Sequence, residues 1–228
     1  MGAASVQATL EAAVAAVAGE RVAVIGAGRT DAGVHACGQV ASLATTSQIP
    51  AGQIPAALNS HLPPDVRVVD ARDAPDGFHA RRDAIARTYR YVILNRPAPS
   101  ALLRNRAYHV PDPLDVDAMR RALAPFIGPH DFAAYHGVGS DPRTTTCLVR
   151  EAVWELERDR LALTITADRF LRHMVRMLVG TLLRVGRGRL DPAAPAVFLE
   201  DSDNRRTGPT APAHGLYLVR VEYKESAG

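Results

Sequence analysis

VAVIGAGRTDAGVHA, residues 22–36, is the stretch on which the fold of this chain turns. Val22, Ala23, Val24 and Ile25 form a short apolar run rich in β-branched residues, which predicts a buried strand. The turn at Gly26 and Gly28 then delivers Arg29, Thr30 and Asp31, and Gly33 frees the chain to turn back. The loop therefore presents one carboxylate, with glycine on both sides so that a bulky ligand can come close. Such an Asp is mounted as a nucleophile would be, although an Asp capping its own turn has the same local pattern. A strand running into G-x-G also resembles the dinucleotide fingerprint, but its third glycine should fall at position 31, where Asp31 would repel a pyrophosphate. No nucleotide cofactor is expected.

Working outward, Ser5 is placed to cap a helix through about Ala18, with Val6, Leu10, Val14 and Val17 at helical spacing and Gly19 as its stop. After the Asp31 loop, His35 to Thr45 suits a strand, Pro55 to His61 a short helix, and Val66 to about Ala74 another strand. Arg87 to Leu94 alternates strictly, Tyr89, Tyr91 and Ile93 facing one way and Arg90 and Val92 the other. Arg106 to Val110 suits a short strand, Val116 to Phe126 an amphipathic helix, and 137–146 a long polar connection. Val149 to Glu157 and Leu161 to Ala167 read as an antiparallel pair turned at Arg158, Asp159 and Arg160. The strongest helical pattern runs from Arg169 to about Val185, and Leu216 to Tyr223 forms a last strand. Each half thus reads as helices on one face of a strand set.

With 228 residues and 47% hydrophobic content, the chain can bury a sizeable core. No stretch approaches 18 uncharged apolar residues, and no basic region precedes the N-terminal alanine-rich segment, so neither membrane span nor signal peptide is expected. A cytoplasmic protein follows. Cys37 and Cys147 lie far apart without ligand-like spacing, which argues against zinc and against a disulfide framework; both read as buried small hydrophobes. No metal is expected.

Of the 27 basic residues only Lys224 is lysine, and the sequence pI is about 9.1 at a net charge of only +3. Arginine clamps phosphates and stacks on bases, which suits RNA, yet a GC-rich genome enriches arginine in any protein. Placement decides more than number. Arg169, Arg172 and Arg176 recur at three and four residues as a basic stripe on the predicted helix, with His173 beside them as a packed or phosphate-contacting residue. Arg81 belongs to a basic segment after Phe78. Arg29, two residues before Asp31, points to the opposite face of an extended path and suits RNA backbone or a vacated base stack. Tyr89 alone would be an ordinary half-buried strand tyrosine.

AGRTDAGVHA (27–36) followed by GQV (38–40), FHARRDAIARTYRY (78–91), FLRHMVRMLVG (170–180) and GPTAPAHGLYL (208–218) together resemble, in order, the motifs of the tRNA pseudouridine synthase A family. The resemblance implies an α+β pseudouridine synthase fold: two similar subdomains, residues 1–83 and 84–228, with mostly antiparallel sheets flanked by helices and a catalytic cleft between them. It implies a cofactor-independent isomerase that converts uridine to pseudouridine at tRNA positions 38, 39 and 40 in the anticodon stem-loop, working as a homodimer with tRNA lying across both subunits. Asp31 matches the family's catalytic nucleophile, Arg176 its ion-pair partner, Tyr89 the tyrosine that stacks on the target uracil, and Leu216 the apolar residue that packs on the base. Arg81, Arg169, Arg172 and His173 remain candidate RNA contacts. The chain departs at its start: the family pattern places a strand of the type YDGxxFxGWQ before the first helix, whereas this sequence opens with MGAASVQATLEAA. A catalytically weak RNA-binding protein is the alternative that the missing strand raises; because the chain keeps every motif residue, a start lying upstream, which would restore the strand, is the preferred reading.

Overall fold

In the computed structural model, which describes residues 5–137, 139, 142–200 and 203–224, helix α1 spans Val6–Ala18. The Ser5 hydroxyl accepts the Ala8 backbone N–H at 3.2 Å, and Gly19 ends the helix at φ 71°, a left-handed conformation that glycine adopts without a Cβ penalty. Ala13 and Val14 of α1 pack on Leu58 of α2 (Ile54–Asn59) and on Leu62 in a small core of their own.

The strand predicted at Val22–Ile25 shrinks to β1, Ile25–Gly26, because the Val24 N–H is taken by the Glu11 carboxylate (3.1 Å) rather than by a ladder. The strand predicted over His35–Thr45 becomes two short pieces, β2 (His35–Ala36) and β3 (Ala41–Ser42), of which only β3 pairs with β1. No strand forms over 66–74: the Val68 N–H and C=O are both occupied by the Asn59 side-chain amide, at 2.9 and 2.8 Å, and Val69 is 87% exposed.

The larger sheet is built on β4, Ala84–Asn95. One edge of β4 carries β8 (Arg160–Ala167), then β7 (Thr146–Glu157) and β6 (Gly128–Asp131), all antiparallel. Its other edge is shared: β9 (Leu216–Tyr223) runs antiparallel beside Ala84 to Tyr91, and β5 (Tyr108–Val110) takes over in parallel from Ile93 to Asn95. β2 adds in parallel to the outside of β9. The alternation read in the sequence decides which face is buried. Tyr91, Ile93, Leu161, Leu163 and Ile165 join the core with Met119 and Leu123 of α3 (Val116–Leu123) and Leu178 and Leu182 of α4 (Met174–Gly186). On the opposite face the Thr88 and Thr166 hydroxyls meet at 2.9 Å and Arg90 pairs with Glu155 at 3.3 Å.

This is the α+β architecture of mostly antiparallel sheets flanked by helices that the sequence indicated, although the two sheets differ in size, two strands against seven. The chain divides into one compact unit of Met1–Arg29 with Val40–Asp83, and a second of Thr30–Gln39 with Ala84–Gly228. The predicted boundary at residue 83 therefore misplaces one segment. Thr30–Gln39, which carries Asp31, belongs to the larger unit because β2 pairs with β9 and the N–H groups of Cys37 and Gly38 both bond to the Leu218 carbonyl, at 2.8 and 3.2 Å. Cys147 is buried, as expected, and Cys37 is exposed, which corrects its assignment to the core.

Candidate active site

Three segments of the larger unit converge on Asp31. The first is its own loop, closed by a bond from the Val34 N–H to the Asp31 carbonyl (3.0 Å), with Gly33 at φ 84° completing the turn. The second is the N-terminal end of α4. The third is the segment after Gly208, which lies against α4 where Gly180 and Gly208 meet: a Cβ on either glycine would overlap the backbone of the opposing segment. The Gly208 N–H donates to the Thr181 hydroxyl at 2.8 Å, fixing that approach. One turn of helix earlier, Ala211 is tied to Arg176 in both directions, its N–H donating to the Arg176 carbonyl at 3.0 Å and its carbonyl accepting from Arg176 Nε at 2.7 Å.

Held in this way, Arg176 directs Nη1 to Asp31 Oδ2 at 2.9 Å. The guanidinium is 15% exposed and the carboxylate 37%, so the pair is partly desolvated and stronger than an ion pair free in water. His173 Nε2 reaches the same Oδ2 at 3.2 Å. Tyr89 is 8% exposed and set edge-on against Phe170, with ring centroids 5.0 Å apart. Burial first, with the Asp31 charge adding to it, pushes the Tyr89 phenol up to about 12, so it is neutral at any working pH. Leu216 is 6% exposed and pairs across the ladder with Tyr91. Asp31, Tyr89, Arg176 and Leu216 thus all belong to the larger unit.

The basic stripe expected on the helix does not form. α4 begins at Met174, not Arg169, because His173 turns left-handed at φ 61°, leaving Arg169 and Arg172 in the preceding segment. Arg169 pairs with its neighbour Asp168 at 3.5 Å, and Arg172 donates to the Gly139 carbonyl at 2.9 Å. In the smaller unit Arg81 Nε donates to the Gly26 carbonyl at 3.3 Å, bracing the turn that leads toward Asp31. Arg29 is exposed, with no side-chain hydrogen bond or ion pair among the described residues. Sequence reasoning missed two participants: the Ala211 carbonyl, which carries no residue-type signal, and the contact of His173 with Asp31. The three-residue spacing of His173 and Arg176 was a usable signal for the second. Among the described residues no three His, Cys, Asp or Glu side chains group as metal ligands would.

A carboxylate with one oxygen held by two neighbouring side chains can act as a nucleophile or base toward a ligand at its other oxygen. The family model described as tRNA pseudouridine synthase matches residues 2–83 and 122–224. The chain belongs to the tRNA pseudouridine synthase family. It is 45% identical to the tRNA pseudouridine synthase A of Caldicellulosiruptor bescii over 96% of this chain and 90% of that protein. Against the protein of the same name from Acetivibrio thermocellus the identity is 44% over the same shares. Against that of Roseiflexus sp. strain RS-1 it is 48%, over 97% of this chain and 83% of the relative. The matched residues include Asp31, Leu216 of β9 and the whole of α4, and leave out 84–121, where Tyr89 lies.

Proposed function

We propose that this chain isomerises uridine to pseudouridine at positions 38, 39 and 40 in the anticodon stem-loop of tRNAs, with Asp31 as the reacting carboxylate. The observation that carries the proposal is the 2.9 Å contact between Arg176 and Asp31, which joins two motifs 145 residues apart. The reaction breaks the bond between uracil N1 and the ribose anomeric carbon, turns the base, and forms a bond from carbon 5 to the same ribose carbon. The hydrogen on carbon 5 leaves as a proton, and the freed N1 takes one up, so that no net proton is gained or lost. No oxidant or reductant is needed, since the product is an isomer. Asp31 assists as nucleophile on the anomeric carbon, or as base on a ribose proton, and both roles need an ionised carboxylate with a free oxygen. Arg176 orients it through the charge-assisted bond to Oδ2.

A uridine inside the anticodon stem must leave its stack to be reached. Tyr89 and Leu216 then form an apolar floor for the extruded uracil, compensating stacking worth about 1–3 kcal/mol per base. Arg29 takes up the vacated stack or the backbone, and Arg81, Arg169 and Arg172 face phosphates. The protein works in the cytoplasm as a homodimer, with one tRNA lying across both subunits; no described helix is long and apolar enough to cross a membrane. Release of tritium from tRNA labelled at uracil carbon 5 tests the proposal. The wild type should release label and Asp31→Asn should release none, while binding tRNA within a few-fold. Binding without release by the wild type would instead favour a protein that only binds RNA, and turnover by Asp31→Asn would remove the carboxylate from the mechanism.

A further inference from the structure

His173 stands at φ 61° and ψ 1° at the N-cap of α4, although an L-residue there costs roughly 1–2 kcal/mol. Such a residue persists only where its surroundings hold it. On one side the backbone of Gly137 is pressed against the imidazole: a methyl group at position 137 would approach Nδ1 to 2.7 Å and Cγ to 2.9 Å. The Gly137 N–H is itself committed to the Arg172 carbonyl at 2.8 Å, so the wedge cannot easily withdraw. On the other side Nε2 lies 3.2 Å from Asp31 Oδ2. The strain is therefore matched to one contact.

We propose that His173 is a positioning residue for Asp31: together with Arg176 it holds Oδ2, which leaves Oδ1 as the oxygen that acts on the substrate. The inference rests on the proposed role of Asp31 and goes beyond it. A single contact from Arg176 would let the carboxylate pivot and exchange its oxygens. Two donors that converge on Oδ2 from positions 173 and 176 fix the plane, and Oδ1 has no partner among the described residues. For Nε2 to donate, it must carry the proton, and the contact with Oδ2 assigns that tautomer. With Nε2 spent on Asp31, the ring is not available to a phosphate.

The test uses three variants of the full chain. In His173→Asn the backbone keeps a residue that tolerates the left-handed conformation, but the amide is too short to reach Oδ2; in His173→Gln the amide nitrogen takes the place of Nε2. Gly137→Ala never touches Asp31 and pushes the ring away from it. The proposal expects kcat for tritium release to fall about 10- to 150-fold in His173→Asn, the loss of one hydrogen bond to a charged group, with KM within about threefold. His173→Gln should recover most of that loss, and Gly137→Ala should reproduce it. Unchanged kcat in His173→Asn, or a rise in KM alone with a weaker dependence on salt, overturns the proposal in favour of a phosphate contact. The 13C chemical shift of the Asp31 carboxyl, assigned with Asp31→Asn, is read alongside. It should change in His173→Asn whether or not the wild type turns over, and an unchanged shift overturns the proposal. Absence of turnover in the wild type would instead overturn the proposed function.

Discussion

Replacing Gly180 by Ala should destabilise this protein, against the usual sign for a helix interior. Exchange of glycine for alanine in a helix normally gains about 1 kcal/mol from propensity alone. At position 180 the added methyl would overlap the Pro209 carbonyl, and Gly208 is packed on the same spot from the other side. Overfilling a packed contact costs typically about 1–3 kcal/mol. The segment that must yield also carries the bond from Gly208 to Thr181 and the bond between Ala211 and Arg176 Nε, each worth about 1 kcal/mol net. After subtracting the propensity gain, the net loss is about 2–4 kcal/mol, which for a chain of this length lowers Tm by about 4–16 °C. Thermal unfolding followed by circular dichroism reads the first effect. The second is a fall in kcat of more than about tenfold in the folded fraction, because Arg176 loses the carbonyl that aims it at Asp31. If Gly180→Ala raises Tm by the few degrees that propensity predicts, the close approach of the 208–211 segment to α4 is wrong, and with it the account of how Arg176 is held.

Two further predictions concern groups outside that contact. Cys37 is exposed, whereas Cys147 is buried and its thiol is pushed up to about 12 by burial, so a maleimide should modify one cysteine in the native protein and both after unfolding; two fast equivalents from the folded protein would contradict the packing at the start of β7. Burial raises the phenols of Tyr89, to about 12, and of Tyr91 and Tyr135, whose hydroxyls donate to the Pro212 and Pro195 carbonyls. The neutral form is favoured by the fold, so this stability is complete below about pH 10 and is lost as pH rises through the folded values; a urea midpoint near pH 11 equal to that near pH 8 would refute it.

The parts of the fold that were legible in the sequence are those decided within a few residues. Ser5 and Gly19 cap α1 as read, and the alternation of Tyr89, Tyr91 and Ile93 gives both the strand and its buried face. The start of α4 was not legible, because Arg169, Arg172 and Arg176 continue its spacing backwards while the break depends on Gly137 pressing on His173 from a distant segment. Val22–Ile25 and Val66–Ala74 look like strands by composition, but their backbone groups are taken by the side chains of Glu11 and Asn59, which no periodicity reveals. β6, with the sequence GPHD, carries a glycine and a proline that argue against a strand, and exists because β7 offers it an edge. In the site, the family motifs named Asp31 and Arg176, which lie 2.9 Å apart; the oxygen that Arg176 holds and the Ala211 carbonyl behind it leave no mark in residue type.

The parallel pairing of His35 and Ala36 with Tyr217 and Leu218 also has a consequence for synthesis. The segment bearing Asp31 leaves the ribosome early, yet the strand it docks on is among the last described parts of the chain to emerge. Until β9 is made, the Asp31 loop has no ladder to join, and α4 lacks the Ala211 carbonyl that orients Arg176. Local contacts within β7 and β8 can form long before this distant one, whose loop-closure cost is met late. On the proposed role of Asp31, a nascent or prematurely terminated chain is catalytically silent even when most of its sheet has formed, and the appearance of activity during translation would report the arrival of β9.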